Sequence, residues 1–146
     1  MFNNILVVCV GNICRSPTGE RLLNRLLPYK HIASAGLGTD KSRLTGRPAD
    51  ELALKVAEER NLDLSDHSAQ QLTSSLCAQY DLILVMEKKH IEALTEIAPE
   101  ARGKTMLFGQ WIGQKDIPDP FGQSREAFEY AYELIEQSAK AWVKKL

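Results

Sequence analysis

Apolar and polar positions alternate along this chain in two different periods. Ile5 to Val8 is a short continuous apolar run, and the segment from Arg21 to Leu27 has helical spacing instead. The pattern predicts a first strand over Asn4 to Val8 and a first helix over Pro17 to Leu27, stopped by Pro28. His31 to Ala35 reads as a second strand. Gly36 and Gly38 then open a polar loop, Thr39-Asp40-Lys41-Ser42-Arg43, which runs on to Gly46. Pro48 and Asp50 start a helix with Leu52, Val56 and Ala57 on one face, and Asn61 ends it. A weaker helix covers Ser74 to Gln79. The run Leu82-Ile83-Leu84-Val85, within Tyr80 to Met86, reads as a buried strand because it is short and partly β-branched. Lys88 to Ile97 follows as a helix, and Met106 to Phe108 as a last strand. Beyond Pro118-Asp119-Pro120, a long helix covers Ser124 to Lys145, with Phe128, Tyr132, Ile135, Ala139 and Trp142 on its core face.

Strands that alternate with helices predict an α/β fold. The expectation is a single domain over 1–146, with a four-stranded parallel twisted sheet and helices on both faces. In such a sheet, ligands bind at the carboxyl ends of the strands.

The first strand ends in Cys9-Val10-Gly11-Asn12-Ile13-Cys14-Arg15-Ser16-Pro17. Cysteine and arginine are separated by five residues, between a strand and a helix. A loop that short curls round one tetrahedral anion. Its backbone N–H groups point inward, and the positive end of the helix dipole faces the same spot. Arg15 can add a bidentate fork to two phosphate oxygens. The same field stabilises negative charge on the Cys9 sulfur, so the anion site also activates a nucleophile. Without that context, Cys9 would be a buried structural cysteine beside a surface arginine. The loop is no ATP-binding one, since no lysine stands where that motif needs it.

A thiolate that attacks a phosphate ester must expel an alkoxide or phenolate, and a general acid lowers that barrier. Asp119, held between Pro118 and Pro120, is the candidate; the alternative reading is a turn aspartate.

Charge and cysteine content narrow the function classes. The formal net charge of −1 gives no reason to expect a nucleic acid partner. No apolar run is long enough to span a membrane, and the N-terminus lacks the layout of a signal peptide. A cytoplasmic protein is expected. Three cysteines, an odd number, argue against a disulfide framework, and the ligand spacing argues against zinc.

The residues Val8 to Pro17, Ser34-Ala35-Gly36, Asp81 to Leu84 before Met86-Glu87, and Asp119-Pro120 resemble the low-molecular-weight protein tyrosine phosphatases over essentially the whole chain. Met86 to Ile91, Arg102 to Gly109 and Trp111 are similar to the bacterial exopolysaccharide and capsule subgroup, the Wzb, AmsI and Etp type. The resemblance implies that Cys9 is the nucleophile, Arg15 the phosphate and transition-state binder, and Asp119 the general acid and base. It implies that Val10, Gly11, Asn12, Ile13 and Cys14 form the phosphate loop. Ser16 would donate to the sulfur, and Asn12 would adopt positive φ with its side chain held by Ser34 and His67. Leu37 and Phe121 would wall the pocket. Phe121 stands where the subgroup usually has tyrosine, so it can stack but cannot donate a hydroxyl. Cys14 would be able to form a disulfide with Cys9 under oxidation.

No metal or other cofactor is implied. The implied partner is a phosphotyrosine protein, a membrane tyrosine autokinase of polysaccharide export. Cys77 reads as core, Lys88-Lys89-His90 as a solvated helix start, and the Gly38 to Arg47 loop as solvated. Two other readings compete. An arsenate reductase on the same scaffold would need a later cysteine pair, and only Cys77 lies beyond the loop. A non-catalytic phosphotyrosine-binding protein conflicts with Cys9, Arg15 and Asp119 occurring together.

Overall fold

The computed structural model describes residues 2–146. Its centre is one all-parallel sheet of four strands, β1 (Asn4–Cys9), β2 (His31–Gly36), β3 (Leu82–Val85) and β4 (Thr105–Leu107), in the order β2-β1-β3-β4. The helices are α1 (Arg15–Leu26), α2 (Glu51–Glu58), α3 (Ser74–Cys77), α4 (Lys88–Ile97) and α5 (Arg125–Val143), with a 3-10 helix at Pro99–Lys104.

β1 shows why both faces need covering. Ile5, Val7 and Cys9 point into a core built with Leu22 and Leu23 of α1, Val56 of α2, and Phe128, Ile135 and Trp142 of α5. Leu6 and Val8 point the other way, onto Leu94, Ala98 and Ala101. A strand buried on both sides reads as an uninterrupted apolar run, as Ile5 to Val8 does. The predicted α5 face is buried throughout, and so is Cys77.

The chain runs from β1 to β2 on one side and reaches β3 on the other. The carboxyl ends of β1 and β3 therefore form the switch point where such sheets bind ligands. Gly36 closes β2 beside the loop that leaves β1. A Cβ there would lie 2.5 Å from Thr39 Cγ2 and 2.6 Å from the Val10 carbonyl oxygen, so only glycine lets the loop pass.

Some boundaries move. β1 continues to Cys9, and α1 starts at Arg15 rather than Pro17, so the arginine is itself the first helical residue. α3 is a single turn, and the 3-10 helix after Pro99 has no periodic signal in the sequence. Asp50, Thr73 and Ser124 cap α2, α3 and α5 through their side chains. Among the described residues no side chain caps α1, whose first turn faces the loop.

Candidate active site

The loop from Cys9 to Arg15 closes on itself through the cysteine sulfur. Asn12 N–H donates to Cys9 Sγ at 3.2 Å, and Ser16 Oγ lies 2.9 Å from the same sulfur. Asn12 is completely buried, with φ +55°, a conformation that asparagine tolerates better than most residues. Its carboxamide orientation is determined by its partners. Oδ1 accepts from Gln70 N–H at 2.9 Å, so the nitrogen must be the end that meets Ser16 Oγ at 2.7 Å and Ser34 Oγ at 2.9 Å.

Both hydroxyls therefore accept from Asn12. Ser34 Oγ–H donates in turn to Glu20 Oε1 at 2.6 Å. Ser16, already an acceptor, has its O–H free to point at the sulfur. The chain of bonds thus delivers a hydroxyl donor to Cys9, which stabilises negative charge there.

Arg15 is held as firmly. It is 2 % exposed, and its Nη1 donates to Glu87 Oε2 at 2.6 Å and to the Ile117 carbonyl at 2.7 Å. Those two bonds use both Nη1 protons and leave Nε and Nη2 as a fork for an oxyanion. Nη2 lies 3.8 Å from Asp119 Oδ2. Burial raises the Glu87 carboxyl pKa, but the hydrogen bond and charge of Arg15 outweigh it, and the group stays below the usual carboxylate value. Asp119 is half-exposed, and its Oδ1 accepts from Phe121 N–H at 3.0 Å, which pins the carboxylate on its turn.

Cys9, Asn12 and Arg15 form the floor of an open pocket of about 260 Å³, walled by Val10, Ile13, Leu44 and Phe121 with Asp119 at its edge. A buried thiol beside an anion fork, under an apolar collar, suits an aryl phosphate.

A family model described as low molecular weight phosphotyrosine protein phosphatase matches residues 4–146. The chain belongs to that family. Among solved structures, Vibrio vulnificus Wzb in complex with benzylphosphonate is 70 % identical, matches over 100 % of both chains and superposes with a TM-score of 0.99. The low molecular weight protein-tyrosine-phosphatase Wzb of Escherichia coli (strain K12) is 57 % identical over 146 residues, covering 100 % of this chain and 97 % of the relative. The probable low molecular weight protein-tyrosine-phosphatase AmsI of Erwinia amylovora is 57 % identical over 100 % of this chain and 99 % of its own length.

Four expectations about the phosphatase need correction. His67 does not hold the Asn12 side chain. Its Nε2 donates to the Asn12 backbone carbonyl at 2.5 Å, and burial lowers its pKa, so the ring is a neutral prop for the main chain. Leu37 does not line the pocket; it packs against the opposite core, with Leu6 and Val8. Leu44 and Ser42 form that wall, so the Gly38 to Arg47 loop is not merely solvated. The loop is anchored there: Thr39 Oγ1 and Asp40 N–H both donate to Gln71 Oε1, and Gln71 Nε2 donates to the Leu37 carbonyl. Finally, His90 is 2 % exposed rather than solvated, although Lys89 beside it is exposed.

Cys14 lies buried in the loop as a free thiol, as Cys9 does. Burial first, then the negative charges of Asp50, Cys9 and Asp119, push its pKa well up. Glu87, Glu20 and Gln70 were not singled out in the sequence as functional residues. Glu87 carried a signal, because it stands two residues beyond a buried central strand, where this fold places its ligands.

Proposed function

We propose that this phosphatase hydrolyses phosphotyrosine through a phosphocysteine intermediate. Cys9 Sγ attacks phosphorus while Arg15 Nε and Nη2 bind two equatorial oxygens. The bond from phosphorus to the tyrosine oxygen breaks, and Asp119 gives its proton to the departing phenolate. Water then attacks phosphorus, Asp119 takes the proton, and the S–P bond breaks to release phosphate and the thiolate. Ser16 stabilises that thiolate at both ends of the cycle.

One observation carries this reading: the Cys9–Arg15 floor lies beneath a collar of Val10, Ile13, Leu44 and Phe121, in which an uncharged ring can stack. The benzylphosphonate bound by the Vibrio vulnificus relative, an aromatic ring on a tetrahedral anion, supports it. The physiological substrate we infer is a cytoplasmic, tyrosine-rich tail of a membrane autokinase that governs exopolysaccharide or capsule production, and the phosphatase works in the cytoplasm as a single domain. Among the described residues no helix is long and apolar enough to cross a membrane. Cys14, which lines the same pocket, is the candidate to trap an oxidised Cys9, and its raised pKa slows that closure.

The test is phosphate release from matched phosphotyrosine and phosphoserine peptides by wild type, Cys9→Ser and Asp119→Ala. The expected result is release from phosphotyrosine alone, abolished by Cys9→Ser and slowed about a hundredfold by Asp119→Ala. Tight peptide binding without release would instead make the chain a phosphotyrosine-binding protein, and thiol-dependent arsenite production would make it an arsenate reductase. Unchanged kinase phosphorylation after gene deletion would remove the autokinase assignment.

A further inference from the structure

His90 is a buried titratable group that the mechanism above leaves unused. Its side chain is 3 % exposed, and neither ring nitrogen has a hydrogen-bond partner among the described residues. Its backbone N–H donates to the Glu87 carbonyl at 3.0 Å, which sets the ring one turn from that residue's side chain. His90 Nε2 lies 3.5 Å from Glu87 Oε2, the same oxygen that accepts from Arg15 Nη1 at 2.6 Å. Lys89 Nζ approaches the other oxygen, Oε1, at 3.6 Å but from solvent. Burying an imidazole without partners is unfavourable, and an apolar side chain would fill this place at lower cost. The acceptor within reach is the carboxylate that anchors the arginine.

We propose that His90 is a positioning residue for the reaction: its Nε2–H holds Glu87 Oε2 in place while Arg15 is drawn toward the phosphate. In the resting geometry Arg15 satisfies that oxygen. When an oxyanion takes the Nε and Nη2 fork, the pull on the guanidinium lengthens its bond to Glu87. A shift of a few tenths of an ångström brings Oε2 into bonding range of His90, so the anchor keeps a donor throughout turnover. The ring must be neutral to do this without adding a competing cation. Burial first, then Arg15 from α1, press its pKa down to about 4 against the opposing carboxylates of Glu87 and of Asp116, with Lys89 also facing it.

The inference rests on the proposed role of Arg15, so the experiment separates the two. Kinetics on a phosphotyrosine peptide are measured for wild type, Arg15→Ala, His90→Phe, His90→Gln, Glu87→Gln and the His90→Phe/Glu87→Gln pair, each checked for folding by thermal melt. Loss of activity in Arg15→Ala supports the underlying assignment; retained activity refutes that assignment itself. The expected result for His90→Phe is about a tenfold fall in kcat with KM little changed, because the arginine is held for the transition state. His90→Gln, which can place a donor similarly, should recover most of that loss. In the Glu87→Gln background, His90→Phe should cost less than about twofold. Wild-type kinetics in folded His90→Phe, or the same tenfold loss with Glu87 already substituted, would overturn the proposal. Failure of folded His90→Gln to recover would overturn it too.

Discussion

Replacing Glu87 by Gln removes the counter-charge of a nearly inaccessible arginine while preserving side-chain size. The Arg15–Glu87 bond is short and charge-assisted at 2.6 Å, with Arg15 2 % and Glu87 16 % exposed at the side chain, so solvent screens it little. The other carboxylate near Arg15, that of Asp119, is 3.8 Å away and half-exposed, and it compensates weakly. A bond between two charged groups contributes about 1.5–3 kcal/mol, against roughly 1 kcal/mol for a neutral one. Glutamine can still accept from Nη1, so the expected loss is the difference, about 1 kcal/mol, or roughly 2–4 °C in Tm for a chain of this size. The pH dependence is set by the sign of the shift. The folded pKa of Glu87 lies below its ordinary 4.5, so its contribution is fully present above 4.5 and fades as pH falls through the lower folded value. Melts of both proteins at pH 7, 5 and 3.5 measure this. The gap should be equal at pH 7 and 5 and narrower at 3.5. Equal Tm values at neutral pH, or a gap that does not narrow in acid, would refute the reasoning.

Three further substitutions probe the loop, the collar and the opposite core. Gly36→Ala sets a methyl against the Val10 carbonyl, which cannot turn aside as a flexible side chain would. It should cost about 1–3 kcal/mol in urea denaturation and lower kcat/KM by at least about tenfold. Leu44→Ala opens the pocket wall and should raise KM for a phosphotyrosine peptide several-fold, whereas Leu37→Ala, which acts on the opposite core, should leave KM unchanged.

What could be read from the sequence was mostly what lies close along the chain. The phosphate loop occupies seven consecutive residues, and the central strands β1 and β3 are compact apolar runs, so motif and pattern suffice for both. Asp119 is legible because two prolines mark it. Glu87 meets Arg15 across a separation of 72 residues, and nothing near either residue encodes the pairing. His90 follows two lysines and looked solvated, yet α4 begins so close to the sheet that its third residue is already buried. Leu37 and Leu44 are equally plausible wall residues in sequence. The path of the loop between them, set by Gln71 from a distant segment, decides that Leu44 faces the pocket. The 3-10 helix is silent in the sequence because three residues per turn leave no amphipathic stripe over so few positions.

The bond chain through Gln70, Asn12, Ser16, Ser34 and Glu20 also bears on how this protein can change over generations. Every link has a direction, and each direction is dictated by the one before it. Reversing the amide of Asn12 would turn two hydroxyls round at once and aim a lone pair, rather than a proton, at the sulfur. Replacing the side chain of Asn12, Ser16, Ser34 or Glu20 leaves a neighbour without its partner, whereas Gln70 contributes its main-chain N–H. Descendants of this sequence are therefore free to drift at exposed Lys41, but can alter Asn12, Ser16, Ser34 and Glu20 only as a set.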